Sequence, residues 1–293
     1  MKPFIQCGGA AWIVTVAAIS PDAIGVRPLS NHPGIDVVIV AHQDDWQLFM
    51  GDVITQRLRG GNRGVFMYLT AGDDGRDSVY WQTRERGALK SIRVAMAIPA
   101  TDSIACSVVQ INTHTIRKCV VGKTESYFFR LPDGNRNGKG FARDGYLSLR
   151  KLRAKRISQI SAIDGSANYR GWVDVMTTVS ALVDRDSAGV TVHTTDPNIA
   201  WNPHDHSDHR IAGLLVADLQ KENKLSVMYY QGYALATRVA NRSTDQRQTK
   251  TALFLAYDRE MMAVDQEWSA YREHRAFYSE CMQRTYVRSY PRR

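Results

Sequence analysis

A chain of 293 residues, 44% hydrophobic and 23% charged, is long enough to bury a substantial core, and its composition excludes collagen-like and disordered classes. Lys and Arg number 38 against 29 Asp and Glu, a formal net charge of +9, but no nucleic-acid-binding motif accompanies that excess, so no nucleic-acid partner is expected. The four cysteines (Cys7, Cys106, Cys119, Cys281) contain no CxxC pair, which argues against a thiolate metal centre or a thioredoxin-type site.

At the N-terminus, Lys2 precedes an apolar run from Ala10 to Ile19, followed by small residues at Ser20, Ala23 and Gly25. A charged start, a short apolar segment and small residues have the form of a secretory signal peptide, and the run is too short for a comfortable membrane span. Residues 1–30 are therefore expected to be a leader and the protein to be exported, with a cytoplasmic location as the alternative. In an oxidising compartment Cys106 and Cys119 can pair. No other stretch could cross a membrane, so no stable membrane insertion is expected. Residues 31–293 are expected to form one domain with a helical C-terminal part.

Val37-Val38-Ile39-Val40 reads as a strand buried on both faces, as in a parallel sheet covered by helices. It stops abruptly in His42-Gln43-Asp44-Asp45, and a helix follows from Trp46 to about Arg59. After the turn Gly60-Gly61-Asn62, a second strand spans Val65 to Thr70, which makes a right-handed βαβ unit. Helical periodicity covers residues 78–98. Strands are expected over 104–110 and 117–121, a long Gly/Asn/Asp-rich loop over 131–145, and helices over 146–163 and 172–184. The basic run Arg150-Lys151, Arg153, Lys155-Arg156 sits at helical spacing and reads as a solvated helix face. A strand over 189–194 precedes a loop, Ser207 is placed to cap a helix whose Ile211, Leu214, Leu215 and Leu219 share one face, and the last core strand spans 225–230. From Arg247 onwards the chain is charged and mostly helical. The order of elements predicts an α/β fold with a mostly parallel sheet flanked by helices and its site at the carboxyl ends of the strands.

The cluster His42, Asp44 and Asp45 at the end of an apolar strand has no packing reason to exist. Asp45 as a helix cap explains one carboxylate and leaves the other two groups unaccounted for. A second cluster, His204-Asp205-His206-Ser207-Asp208-His209, places three of the chain's eight histidines within six residues. His206 and His209, three apart, share one side of a helical turn. Two imidazole nitrogens and one carboxylate with an open position suit catalytic zinc, and the same set could form the facial triad of a non-haem iron protein. A carboxylate left unligated beside metal-bound water is a hydrolytic arrangement.

Ala41-His42-Gln43-Asp44-Asp45 resembles the AHPDD signature of the PIG-L/LmbE-type metal-dependent N-acetylglucosaminyl deacetylases, and His206-Ser207-Asp208-His209 resembles that family's HPDH motif. Thr70-Ala71-Gly72 and Leu131-Pro132-Asp133-Gly134 also look like family features. The resemblance implies a Rossmann-like sheet and a zinc ion held by His42, Asp45 and His209, with another divalent metal such as Fe2+ admissible. It further implies Asp44 as the base acting on metal-bound water, and His206 as the group that meets the carbonyl oxygen or protonates the leaving amine. Asp208 would orient a histidine. Substrate-binding expectations fall on Arg84 in preference to Arg86, on Asp133 with Asn135, on His204, and on Trp201 as a stacking surface. The sequence departs from the pattern at Gln43 and Ser207, which replace prolines, and at Trp46, where many members carry Glu. The activity so implied is hydrolysis of an N-acetyl or other N-acyl group from a small-molecule amino-sugar conjugate. The alternatives are an amidase of the same family acting on a sugar–thiol conjugate or glycopeptide, and a non-catalytic sugar-binding relative.

Overall fold

The computed structural model describes residues 34–183, 189–222 and 225–290, so the expected leader over residues 1–30 lies outside the described residues. The chain runs β1 (Ile35–Val40), α1 (Asp45–Arg59), β2 (Arg63–Thr70), α2 (Ser78–Ala95), β3 (Ala105–Ile111), β4 (His114–Val121), β5 (Thr124–Leu131), α3 (Leu149–Arg153), β6 (Gln159–Ser161), β7 (Asn168–Arg170) and α4 (Gly171–Val183). It continues through β8 (Val190–Thr195), α5 (Ser207–Glu222), β9 (Ser226–Tyr230), α6 (Thr244–Val264), α7 (Ala270–Glu273), α8 (Arg275–Met282) and β10 (Val287–Tyr290).

One sheet has the strand order β10-β9-β8-β1-β2-β5-β4-β3, and β6 pairs only with β7. The five central strands are parallel; β10, β4 and β3 add antiparallel edges. Every residue of β1 is buried, as the apolar run predicts, because helices cover both faces. Ile35, Val37 and Ile39 point into a core shared with α3, α4 and α5, while Val38 and Val40 point into one shared with α1, α2, α6 and α8. After β1 the chain moves outward through β2 and β5, then returns to the other side of β1 as β8. That reversal opens a crevice at the carboxyl end of β1, the place where open α/β sheets bind ligands.

Local chemistry sets the element ends. Helix α1 begins with acidic Asp45 and ends with Arg57 and Arg59, which complements the helix dipole. Helix α6 opens on a capping box between Ser243 and Gln246. Cys106 and Cys119 face each other across β3 and β4 and are joined as a disulfide. Among the described residues no helix is long and apolar enough to cross a membrane.

Two expectations fail. The helix expected over 146–163 is only α3, followed by the β6–β7 hairpin. Only Leu149 and Leu152 of that helix are buried, and Lys155 takes a left-handed backbone (φ 55°) that ends it. Strand β5 was not expected, because its polar start Thr124-Glu125-Ser126 conceals Tyr127-Phe128-Phe129; it is nonetheless the strand that delivers Asp133.

Candidate metal and active site

The segment Ala41–Asp44 leaves β1 at the middle of the sheet, and α1 starts immediately. The His42 backbone N–H donates to Asp45 Oδ2 at 2.8 Å, which fixes that carboxylate at the helix entrance. From the other side of the crevice, the Thr195 hydroxyl at the end of β8 donates to the His209 carbonyl at 2.6 Å and anchors the first turn of α5. The two halves then meet. His209 Nε2 lies 2.9 Å from Asp45 Oδ1 and 3.2 Å from His42 Nδ1, and His42 Nδ1 lies 3.5 Å from Asp45 Oδ1. A tetrahedral ion with bonds of about 2.0–2.1 Å separates its donors by about 3.3 Å, so these three buried atoms have the spacing and the chemistry of a zinc-type donor set. His42 also belongs to every other potential ligand group among the described residues.

Behind each imidazole stands a carboxylate. His209 Nδ1 is 3.0 Å from Asp205 Oδ1, and His42 Nε2 is 3.5 Å from Asp133 Oδ2 and 3.7 Å from Asp208 Oδ2. A partner at the Asp205 distance holds the proton on Nδ1 of His209 and leaves Nε2 as the donor. Asp208 lies beside His42, whose Nε2 has no hydrogen-bond partner among the described residues. It also accepts the Gly134 N–H at 2.7 Å, and a Cβ on Gly134 would sit 2.3 Å from Asp208 Oδ1. Glycine there lets the long loop close onto α5.

Burial opposes charge on these groups, and their neighbours overrule it in part. Burial would raise the Asp45 pKa, yet His209 and His42 hold it well below the ordinary carboxylate range. Burial would lower that of His209, yet Asp45 and Asp205 push it up to about 10. His206 goes the other way: burial, then the charges of His42 and His209, drive its pKa down, and a cation among those donors acts in the same sense. The expected cap of α5 is also corrected. The His206 ring, not Ser207, takes the first-turn amide, with Nδ1 accepting the Asp208 N–H at 3.1 Å. The proton of the neutral ring therefore sits on Nε2, the nitrogen 3.9 Å from Asp133 Oδ1.

Asp44 precedes α1 without using its side chain as a cap, so its carboxylate is available to the crevice. Arg84, in the second turn of α2, donates to Asp44 Oδ1 at 2.5 Å and to the Gly72 carbonyl at 3.0 Å. Its guanidinium lies 5.9 Å from the rings of both Tyr80 and Tyr257. The structure therefore places Arg84 on Asp44 first. Asp133, expected at sugar hydroxyls, is buried and turned towards His42. His204 and Trp201 are not brought to the metal-binding donors. A left-handed backbone at His204 (φ 58°) turns that residue outward, and the Trp201 ring lies under Arg288, 4.8 Å from its guanidinium carbon. Two contributors escaped the sequence reading. Asp205 could have been found, since it lies one helical turn before His209; Tyr233, whose ring is 5.0 Å from that of His209, carries no local signal.

The fold and the site define a class: an α/β protein whose strand-order reversal forms a crevice lined by buried His and Asp groups that could hold a metal ion. The chain belongs to the PIG-L family, described as GlcNAc-PI de-N-acetylase, which it matches over residues 37–219. That span runs from β1 into α5 and includes every donor named above. Among solved structures, the chain is similar to a deacetylase triple mutant of the teicoplanin biosynthetic pathway, with 11% identity over 84% of this chain and 88% of that one and a TM-score of 0.50. It is also similar to N,N'-diacetylchitobiose deacetylase from Pyrococcus horikoshii, with 16% identity over 88% and 84% and a TM-score of 0.43. A third is 4-carboxy-2-hydroxymuconate hydratase from Pseudomonas putida, with 12% identity over 84% and 82% and a TM-score of 0.45. No curated protein matches the chain.

Proposed function

We propose that the protein is a metal-dependent N-deacetylase that removes an N-acyl group from a small amino-sugar conjugate, N-acetylglucosamine-containing compounds first among them. The observation that supports this reading best is the spacing of His42 Nδ1, Asp45 Oδ1 and His209 Nε2 at 2.9–3.5 Å, with Asp44 and His206 beside them. A divalent ion held there, zinc by preference of the donor set and iron(II) as the alternative, would lower the pKa of bound water and polarise the acyl carbonyl.

The chain's own residues supply the rest. Arg84 holds one oxygen of Asp44, and the other is left to take a proton from the attacking water and pass it towards the leaving nitrogen. His206 acts as a donor: with Nδ1 occupied by the Asp208 amide, its Nε2–H is the group that meets the carbonyl oxygen as negative charge develops. Asp205 keeps the His209 imidazole aimed, which spares reorganisation during the reaction.

The test is release of acetate and free amine from a panel of N-acetylglucosamine, N,N'-diacetylchitobiose and an N-acetylglucosaminyl phospholipid. Turnover of at least one compound is expected, with loss on chelation and recovery on adding Zn2+. Metal-loaded protein that releases neither acetate nor amine from any of them would overturn the proposal.

A further inference from the structure

The basic run at residues 150–156 does not lie on a long solvated helix. It lines two adjoining cavities on the outer side of α5. The first, of about 360 Å³, lies between the Arg136–Asn137 loop, α3 and α5, and is walled by Arg136, Arg150, Arg153 and Arg210. The second, of about 240 Å³, shares Asn137, Arg150 and Ala154 with the first and adds Lys139, Lys151 and Arg156.

Apart from Arg153, these cations have no carboxylate partner among the described residues. Arg153 reaches Asp218 at 3.0 Å. Arg136 donates to the His204 carbonyl, Arg150 to the Asn137 carbonyl and Lys151 to the Tyr146 carbonyl. The side chains of Arg210, Arg156 and Lys139 have no hydrogen-bond or ion-pair partner among the described residues. The two carboxylates in the lining are committed elsewhere, Asp196 to Arg288 at 2.7 Å and Asp205 to His209 at 3.0 Å. Several like charges around a half-open pocket repel one another, and an anion with more than one charged group relieves that repulsion. Arginine forks also match the oxygens of phosphate groups. Ser207, Arg210, Ile211 and Leu214 face the first cavity from α5, whereas His209 projects from another side of the helix into the crevice, and Asp205 stands between the two, lining the cavity and holding His209.

We propose that these cavities, on the face of α5 turned away from His209, form a binding site for a small phosphorylated ligand carrying two anionic groups. Arg150 belongs to both cavities and would bridge the two groups. The small volume of the two pockets favours a small molecule over a polymer. The site does not depend on the deacetylase reading.

The probe is inorganic pyrophosphate, titrated calorimetrically into the full-length protein at fixed ionic strength, with inorganic phosphate for comparison. Saturable binding of one pyrophosphate, tighter than phosphate, is expected. The double substitution Arg150→Gln and Arg210→Gln should weaken it by about tenfold or more, while Arg150→Lys with Arg210→Lys should retain most of it. Both side chains are exposed, so an unchanged Tm is expected in each variant. Absence of saturation overturns the proposal, as does binding that persists undiminished in the glutamine variant, the behaviour of pyrophosphate held by a metal ion. Tight capture of a short single-stranded oligonucleotide or of phosphatidylglycerol vesicles that pyrophosphate fails to displace would overturn the small-ligand assignment.

Discussion

Removing the carboxylate behind His209 tests the proposed metal site without touching any of its three donors. Asp205 Oδ1 sits 3.0 Å from His209 Nδ1, and its side chain is only 4% exposed. In Asp205→Ala the ring is freer to rotate, and the tautomer with its proton on Nε2 becomes accessible. A hydrogen bond to a charged partner contributes about 1.5–3 kcal/mol, and about 1.4 kcal/mol corresponds to a tenfold change. Metal affinity should therefore fall about 10- to 100-fold, the usual range for groups that support metal-bound imidazoles. Asp205→Asn keeps a neutral acceptor and should fall between Ala and the parent. Competitive titration of Zn2+ against a chromophoric chelator measures this. A folded Asp205→Ala variant with parental metal affinity would refute the argument.

Asp44→Asn leaves all three donors in place, so it should retain metal by elemental analysis and lose about 10²–10⁴-fold in kcat; a near-parental rate would remove Asp44 from the role of base. At the opposite end of β1, Asp36 Oδ1 and His193 Nε2 are 2.9 Å apart and His193 Nδ1 is 2.9 Å from the Tyr230 hydroxyl. Burial lowers the His193 pKa below 6.5; burial would raise that of Asp36, but His193 and Arg57 hold it below 3.8. The unfolded chain therefore takes up the His193 proton first as pH falls through 6.5, and the Asp36 proton as it falls through 3.8, so both groups withdraw stability in acid. The urea midpoint should drop between pH 7 and pH 5, less so in His193→Gln, and an identical slope in both would contradict this. Reducing Cys106–Cys119, which are 13 residues apart, or replacing Cys106 by Ser, should cost about 2–3 kcal/mol of unfolding free energy, and equal midpoints with and without reductant would count against it.

The sequence disclosed the halves of the site more readily than the fold that joins them. His42, Asp44, Asp45, His206 and His209 were legible because each sits where an apolar pattern breaks off in groups that packing does not require. β1 and β2 were legible for the same reason, as uninterrupted apolar runs. α3 was overextended because charge spacing alone mimics a helix face when few apolar residues are present to be buried. β5 was hidden because half of its residues are polar and its place beside β2 is set by tertiary pairing. Asp133 was found by motif, but its orientation towards His42 depends on the Gly134–Asp208 contact, which no local pattern encodes. Tyr233 and Tyr257 reach the site from the region after β9, where distance in sequence conceals proximity in space.

The place of β1 in the sheet also governs when the site can exist. Ile35 pairs with Arg63 on one side and with Val190 on the other. At synthesis rates of about 5–20 residues per second, the strand leading to His42 and Asp45 waits about 7–30 s with one edge open before β8 emerges. Bringing β8 and α5 back closes a long loop, the kind of non-local step that slows folding. A truncated or nascent chain ending before His209 holds two of the three donors, so tight uptake of the proposed ion would mark the moment at which the sheet has closed around its first strand.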